Sequence, residues 1–181
     1  MGKQLAVRKG HFDAMHRVMD HYSKCRNIHG HSYLYELGIG FNQTEAIGYA
    51  IDFGEIKRVG EAFLQDMMDH GALLNPKDEV LINVCNQEGY KYWTMSINGE
   101  GEHCNPSAEN IAKEIFLACE ILFSEHPGIW MEQIVLFETP KSSTITTKES
   151  IDEIERENFR KCRYDMIMAY AKEKGVKSYR Q

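Results

Sequence analysis

The feature of this chain that most constrains its fold is a set of three histidines at the ends of two strand-like segments. His16 closes the first segment, residues 4–17, and His29 and His31 open the second, residues 29–41. Side chains alternate faces along a strand, so His29 and His31 point the same way. If the two segments pair as antiparallel strands, His16 joins them. The sequence therefore predicts a hairpin that gathers three imidazoles.

Three neutral imidazoles form a donor set that suits a borderline metal such as zinc. They leave one coordination position open, which is typical of a catalytic zinc rather than a structural one. The alternative is that these are ordinary surface or core histidines, as a lone histidine usually is. The spacing of His29 and His31, with His16 on the preceding strand, favours metal binding.

Composition places the chain among ordinary globular proteins. Its 181 residues suit one domain, and 43% of them are hydrophobic. The net charge of -6 argues against a nucleic-acid or anionic-membrane partner. The five cysteines show no framework spacing, and residues 1–10 lack the apolar run of a secretory signal. We therefore expect a reduced, cytoplasmic protein.

Apolar spacing predicts an α+β fold on an antiparallel sheet. The predicted strands are residues 4–17, 29–41, 49–53 and 130–139. The predicted helices are residues 53–68, a second helix after an N-cap in Asn105-Pro106-Ser107, and residues 148–174. The buried stripe of the second helix is predicted at Ile111, Ile115, Ala118 and Leu122. Residues 77–104 are interpreted as an inserted or extended hairpin with its turn at Asn86-Gln87-Glu88-Gly89. We expect a domain over residues 1–145 and a helical extension over residues 146–181.

Cys25 lies in the polar connection between the first two strands, beside Lys24 and Arg26. Positive charge favours the thiolate form of a cysteine, so a reactive role is one interpretation. A small buried hydrophobe is the other, because that is the common state of a free cysteine. The residue types leave both open.

Two further positions carry polar groups at the ends of predicted elements. Asp69-His70 follows the helix over residues 53–68, where the histidine either complements the helix dipole or is oriented by the aspartate for proton transfer. Glu138 follows an apolar run. It is either a solvated charge or an acceptor for the amino and ring N–H groups of a ligand.

Taken together, these segments resemble the 6-pyruvoyltetrahydropterin synthase / 6-carboxytetrahydropterin synthase family. The resemblance covers residues 4 to about 145, and six motifs occur in the family's order. They are Phe12-Asp13-Ala14-Met15-His16, Cys25-x3-His29-Gly30-His31-Ser32-Tyr33, Ile51-Asp52-Phe53-Gly54, Met68-Asp69-His70-x2-Leu73-Leu74-Asn75, Asn105-Pro106-Ser107-Ala108-Glu109-Asn110-Ile111-Ala112 and Phe137-Glu138-Thr139-Pro140.

The resemblance implies the tunnelling fold, a four-stranded antiparallel sheet with two helices on one face. It also implies a homo-oligomer, with a hexamer favoured, whose active sites lie between subunits. The resemblance implies zinc binding by His16, His29 and His31. It implies that Cys25 is the general base and that Asp69 and His70 form an acid–base relay. It also implies that Glu138 anchors the pterin and that Ser107 and Glu109 lie in the pterin pocket.

The three residues between Cys25 and His29 resemble the carboxy-forming branch of the family. That branch implies zinc-dependent conversion of 7,8-dihydroneopterin triphosphate to 6-carboxytetrahydropterin, acetaldehyde and triphosphate, toward 7-deazaguanines such as queuosine. A pyruvoyl-forming synthase with the same site is one alternative. A non-catalytic zinc- or pterin-binding protein is the second. A structural zinc protein is the third, and it would need a fourth protein ligand.

Overall fold

A computed structural model describes residues 2–175 of the chain. The strands are β1 (Gln4–His16), β2 (His29–Phe41), β3 (Gly71–Leu74), β4 (Tyr92–Thr94), β5 (Ile129–Thr139) and β6 (Ser142–Thr147). They form one sheet in the order β4-β3-β1-β2-β5-β6. The strands β1, β2, β5 and β6 pair antiparallel, while β3 and β4 add parallel pairs beyond β1. The antiparallel four are the sheet that the tunnelling fold requires, and the predicted fold class is confirmed.

Helices and short helical turns connect the strands. The helices are α1 (Phe53–Ile56), a π-helical turn (Lys57–Glu61), α2 (Ala62–Met67), α3 (Glu79–Glu88), α4 (Ala108–Leu122) and α5 (Glu153–Lys174). Two 3-10 turns lie at Lys24–Arg26 and Lys148–Ser150. Among residues 2–175, none of these helices combines the length and the apolar character that crossing a bilayer requires.

The β1–β2 hairpin carries the three histidines, as the sequence predicts. Its cross-strand pairs run without a break along both 13-residue strands and end at His16 opposite His29. Gly10 lies opposite Tyr35, where a Cβ would come within 2.3 Å of the Tyr35 hydroxyl oxygen. Glycine leaves room there for the buried tyrosine ring, and this favours the observed register at that pair.

The helices α1, α2 and α4 contribute to one hydrophobic core with the inward side chains of the sheet. The stripe predicted for α4 is buried, with each residue at most 1% exposed: Ile111, Ile115, Ala118 and Leu122. Each large aliphatic side chain buried in this way contributes roughly 1.5–3 kcal/mol. The core holds the ends of β1 and β2 rigidly, and these ends carry the histidines.

The hairpin predicted over residues 77–104 is wrong, because this segment forms α3 followed by the short strand β4. The Asp78 side chain accepts a hydrogen bond from Leu81 N–H and caps the start of α3, and Gly89 ends it with φ 71°. Leu81 and Cys85, one helical turn apart, are both buried. The β-branched residues here favoured a strand, but the cap and the four-residue apolar spacing favour the helix that forms.

The short strand predicted over residues 49–53 is also wrong. Asp52 is instead the N-cap of α1, and its side chain accepts a hydrogen bond from Gly54 N–H at 2.7 Å. The fourth antiparallel strand is β6, which follows β5 after a tight turn. Its Ser/Thr-rich sequence has little apolar alternation, so its pattern did not reveal it.

The C-terminal helix α5 packs on its own chain. Phe159 and Ile167 are fully buried in the main core. Asp152 caps the start of the helix and Gly175 ends it with φ 62°. Of the predicted extension over residues 146–181, residues 176–181 lie outside the described part of the chain. The division at residue 145 remains a prediction.

Candidate active site

The hairpin brings the three histidines together at the open end of β1 and β2. One ring nitrogen from each of His16, His29 and His31 lies within 4.8 Å of the other two, and we call these residues the histidine group. His16 is buried, and the other two are partly buried. The Nε2 atoms of His16 and His29 are 3.1 Å apart.

Backbone carbonyls fix the orientation of two of these rings. His16 Nδ1 lies 2.7 Å from the Pro106 carbonyl oxygen, and His29 Nδ1 lies 2.8 Å from that of Asn27. A carbonyl only accepts, so both Nδ1 atoms donate. In a neutral ring the Nε2 atom then carries a lone pair. The Nε2 atoms of His16 and His29 are 3.1 Å apart, so their lone pairs repel each other unless a cation lies between them. The same arrangement orients histidine ligands at metal sites.

The third member of the group supports the same conclusion. His31 Nε2 is buried and has no hydrogen-bond partner among residues 2–175. Burial lowers the pKa of His31 and also that of His16, where the Pro106 carbonyl opposes the shift. Both rings are therefore held in the neutral form that binds a metal. The histidine group fits a metal ion that prefers nitrogen ligands.

Glu138 lies beside the histidine group. It follows the fully buried Leu136 on the same face of β5. Its Oε1 is 3.7 Å from His16 Nε2 and 3.8 Å from His31 Nε2. The structure therefore brings Glu138, a predicted site residue, to the predicted metal ligands.

Cys25 lies in the 3-10 turn of the loop that joins β1 to β2, and it is half-buried. Its carbonyl oxygen accepts a hydrogen bond from Val18 N–H at 2.8 Å. The thiol is not part of the histidine group. Cys25 belongs to the loop that connects His16 at the end of β1 to His29 at the start of β2.

Asp69 and His70 form a hydrogen-bonded pair after α2. His70 Nδ1 lies 2.7 Å from Asp69 Oδ2, and Asp69 Oδ1 accepts from Asp13 N–H at 2.8 Å. Burial opposes ionisation of Asp69, but the hydrogen bonds from Asp13 and His70 outweigh it and lower the Asp69 pKa. His70 is exposed and adopts φ 54°. An ionised carboxylate thus orients an accessible imidazole, as in a general acid–base pair.

The histidine group and the Asp69–His70 pair lie on opposite faces of β1. His16 and Asp13 are three residues apart on this strand, so their side chains project to opposite faces. His16 faces the core, whereas the Asp13 side chain joins the Asp69–His70 pair. Within one copy of residues 2–175, the predicted catalytic residues therefore form two separate groups.

A groove of about 550 Å³ borders His70 on that opposite face. Its lining includes Asp13, His31 and Ser32 from the sheet, and Tyr90 and Lys91 from the segment after α3. The segment that was expected to be a hairpin therefore contributes to the surroundings of the Asp69–His70 pair.

The two remaining predicted site residues lie at the start of α4. Ser107 is the N-cap and accepts from Asn110 N–H, while Glu109 is exposed in the first turn. The residue that precedes Ser107, Pro106, supplies the carbonyl that orients His16.

Asn105 is a positioning residue that its place in the sequence did not reveal. Its side-chain oxygen accepts from Met19 N–H at 2.9 Å, and its amide donates to the Met19 carbonyl at 3.0 Å. Asn75 donates to the same side-chain oxygen at 2.8 Å. Asn105 thus ties the Cys25 loop to the start of α4. The adjacent Asn105-Pro106 pair before the N-cap was the available signal, but it was interpreted only as a helix start.

Sequence comparison identifies relatives over most of the chain. The sequence model of a family described as 6-pyruvoyl tetrahydropterin synthase matches residues 6–149. A relative from Rickettsia felis, named 6-carboxy-5,6,7,8-tetrahydropterin synthase, is 36% identical over 137 residues. The match covers 74% of this chain and 93% of that relative.

Two solved structures share the fold. One is an uncharacterized protein from Wolinella succinogenes, with a TM-score of 0.65 and 17% identity, covering 82% of this chain and 99% of the other. The second is the 6-pyruvoyl tetrahydropterin synthase of Caenorhabditis elegans, with a TM-score of 0.56 and 21% identity, covering 81% and 96%. At these identities the likeness shows the fold alone.

Proposed function

The chain belongs to the 6-pyruvoyl tetrahydropterin synthase family, and on that premise we propose that it is a zinc-dependent 6-carboxy-5,6,7,8-tetrahydropterin synthase. It would convert 7,8-dihydroneopterin triphosphate to 6-carboxytetrahydropterin, acetaldehyde and triphosphate, toward 7-deazaguanines such as queuosine. The observation that carries the proposal is the histidine group, whose ring nitrogens lie within 4.8 Å of one another with Glu138 beside two of them.

His16 and His29 would hold the zinc ion through the Nε2 atoms that their carbonyl contacts leave unprotonated, and His31 would bind it through its own ring. The bound ion would supply Lewis-acid chemistry, lowering the pKa of hydroxyl groups near it. Glu138 would accept hydrogen bonds from the amino and ring N–H groups of the pterin, a pairing that suits the two oxygens of a carboxylate. Ser107 and Glu109 would lie along the same pocket.

Proton transfer is assigned to Cys25 and to the Asp69–His70 pair. Cys25 would take a proton from a side-chain carbon of the substrate as general base. His70, oriented by Asp69 through Nδ1, keeps Nε2 for exchange of protons with the substrate. Asn105 would position the Cys25 loop through its two bonds to Met19.

The active site is proposed to combine two copies of the chain. The histidine group and the Asp69–His70 pair face opposite ways across β1, so a second copy has to present its pair to the first copy's histidines. A homo-oligomer, with a hexamer favoured, meets that requirement. The exposed position of His70 supports this arrangement, because the imidazole is free to reach a neighbouring copy.

The carboxy-forming branch is favoured over the pyruvoyl-forming one. The three-residue spacing of Cys25 and His29 supports it, as does the name of the Rickettsia felis relative, nearly all of which is matched. The pyruvoyl-forming synthase remains the alternative, since it would use the same residues to eliminate triphosphate without releasing acetaldehyde.

Product analysis tests the proposal. Zinc-loaded protein is incubated with 7,8-dihydroneopterin triphosphate, pterin products are identified by mass spectrometry, and acetaldehyde is assayed separately. We expect 6-carboxytetrahydropterin and acetaldehyde in equal amounts. A pyruvoyl product without acetaldehyde would assign the protein to the other branch. Absence of turnover despite bound zinc and pterin would favour a binding protein.

A further inference from the structure

One member of the histidine group, His31, lacks the hydrogen bond that orients the other two. Their rings are each fixed by a backbone carbonyl at Nδ1. Within residues 2–175 His31 has no such carbonyl contact, and its Nε2 has no hydrogen-bond partner. The Glu138 carboxylate, 3.8 Å from that nitrogen, is beyond hydrogen-bond distance. The orientation of the His31 ring therefore has to come from packing.

Tyr33 provides this packing. It follows His31 by two residues on the same face of β2, so the two rings are neighbours. Their centroids are 5.5 Å apart, and their planes meet at 68°. Tyr33 also meets the His16 ring edge-on, at 5.9 Å and 81°. Both contacts have the edge-to-face geometry that aromatic rings prefer. One tyrosine ring thus contacts two of the three histidines.

The Tyr33 ring is itself held in place. It is fully buried, and so is Phe12, its partner across the β1–β2 pairing. The two rings stack with their centroids 5.1 Å apart and their planes at 20°. In a close-packed interior a ring held in this way has no free space to move into. Tyr33 is therefore a fixed surface against which a histidine ring rests.

Tyr35 shows what is particular to Tyr33. It lies two residues further along the same face of β2, and it is equally buried. Both tyrosine hydroxyls lack a hydrogen-bond partner among residues 2–175, and both rings lie beside Phe12. Within the same residues, however, the Tyr35 ring contacts no histidine. The two tyrosines are thus a natural pair for comparison, and they differ in the contact of one ring with the histidine group.

We propose that Tyr33 is a positioning residue of the metal site, and that its ring holds the His31 imidazole in the histidine group before a metal binds. This inference rests on the proposed function and deepens it. A side chain that is already in place loses little rotational freedom when it becomes a ligand. Locking a ligand by packing therefore raises the affinity of a site for its metal. The contacts belong to the ring, so the hydroxyl is dispensable for this role.

Metal binding by two variants of Tyr33 tests the inference. Cobalt(II) is the probe because, unlike zinc, it absorbs visible light in a way that depends on its ligands, and zinc affinity is measured by competition with a chelator. Tyr33→Met removes the ring but keeps an adaptable apolar side chain that fills the space. We expect an altered cobalt spectrum and a zinc affinity lower by about tenfold. Tyr33→Phe keeps the ring and should match wild type in both measurements.

Tyr35→Met is the matched control, because it removes an equally buried ring from the same strand. Urea unfolding should show a similar loss of stability in the two methionine variants. Tyr35→Met should nevertheless keep the wild-type cobalt spectrum and zinc affinity. Equal weakening of metal binding in both variants would show that general loosening of the core, and not the position of His31, is responsible.

The other outcomes separate this inference from the proposed function. If Tyr33→Met binds metal as wild type does, Tyr33 does not position His31, although the proposed function stands. If Tyr33→Phe is as weak as Tyr33→Met, the hydroxyl acts rather than the ring, and the inference is overturned. If wild type binds no metal, the proposed function and this inference fail together.

Histidine NMR of the metal-free wild type tests the inference without altering the core. The ring current of Tyr33 displaces the resonances of an imidazole held edge-on to it, whereas a rotating imidazole averages the displacement. We expect displaced His31 resonances, identified by their loss in His31→Gln, in wild type and in Tyr33→Phe. Undisplaced His31 resonances in the metal-free wild type would overturn the inference even if neither methionine variant folds.

Discussion

Cys25 has a proposed catalytic role that can be separated from its structural role by substitution. It is half-buried in a short turn and is held there by backbone hydrogen bonds rather than by its thiol. We predict that Cys25→Ala keeps metal and pterin binding and loses about 10²–10⁴-fold in turnover, the usual contribution of a general base. Cys162→Ala, which alters a half-buried cysteine on α5, is the matched control and should remain active. A fully active Cys25→Ala would contradict the assigned role.

Asp69 provides a pH-dependent prediction. Its pKa is lowered in the folded protein, so the unfolded chain binds protons more readily and stability falls as the solution becomes acidic. The stabilising effect of Asp69 is complete well above its ordinary pKa of 3.8 and is lost below it. The stability difference between wild type and Asp69→Asn in urea unfolding should therefore stay constant from pH 7 down to about pH 5 and shrink as the pH falls through 3.8 and below. A difference that grows toward acid would contradict this account.

Sequence spacing predicted which residues form the histidine group, but it did not predict the hydrogen-bond partners that orient them. The spacing of His29 and His31 determines their shared face, and the hairpin determines that His16 joins them. The Pro106 carbonyl that orients His16 lies 90 residues away in sequence. Local periodicity contains no information about such a contact, because it depends on how α4 packs against the sheet.

At the scale of elements, a buried carboxylate fastens the added strand β4 to α4. Glu114 is fully buried and accepts hydrogen bonds from Trp93 Nε1 at 3.0 Å and from the backbone N–H groups of Ser96 and Ile97. Arg163 of α5 lies over the Trp93 ring and donates to the Thr94 carbonyl. Glu114 of α4 and Arg163 of α5 thus both contact Trp93 of β4.

We predict that Glu114→Leu lowers the free energy of unfolding by about 3 kcal/mol or more. The substitution leaves several buried donors unpaired, and each costs roughly 1–3 kcal/mol. Glu114→Gln keeps an acceptor oxygen and should lose less. Urea unfolding of both variants provides the measurement. Equal losses in the two variants would show that the hydrogen bonds do not matter.

The elements that the sequence failed to predict share a physical reason. In α3 the local β-propensity of valine and isoleucine competed with an N-cap and a four-residue apolar spacing, and the tertiary contacts of Leu81 and Cys85 decided for the helix. In β6 the strand is stabilised by its pairing with β5 rather than by its own composition. The long, strongly periodic elements β1, β2, α4 and β5 were predictable because propensity and packing agree in them.

At the scale of the whole molecule, the account depends on the two faces of β1. One face contributes the histidine group to the core side, and the other contributes the Asp69–His70 pair to an open groove. Within one copy of residues 2–175 these are two separate groups, and we propose that they are two halves of one active site. The central claim is that two copies bring these halves together.

Mixing two inactive variants tests this claim most directly. His31→Ala lacks a metal ligand, and His70→Ala lacks the proposed acid–base imidazole, so each alone should be inactive. Unfolded together in equal amounts and refolded, they should regain about one quarter of wild-type turnover, since about a quarter of the shared sites combine an intact half from each variant. A mixture as inactive as its components, in oligomers of normal mass, would contradict an active site shared between copies.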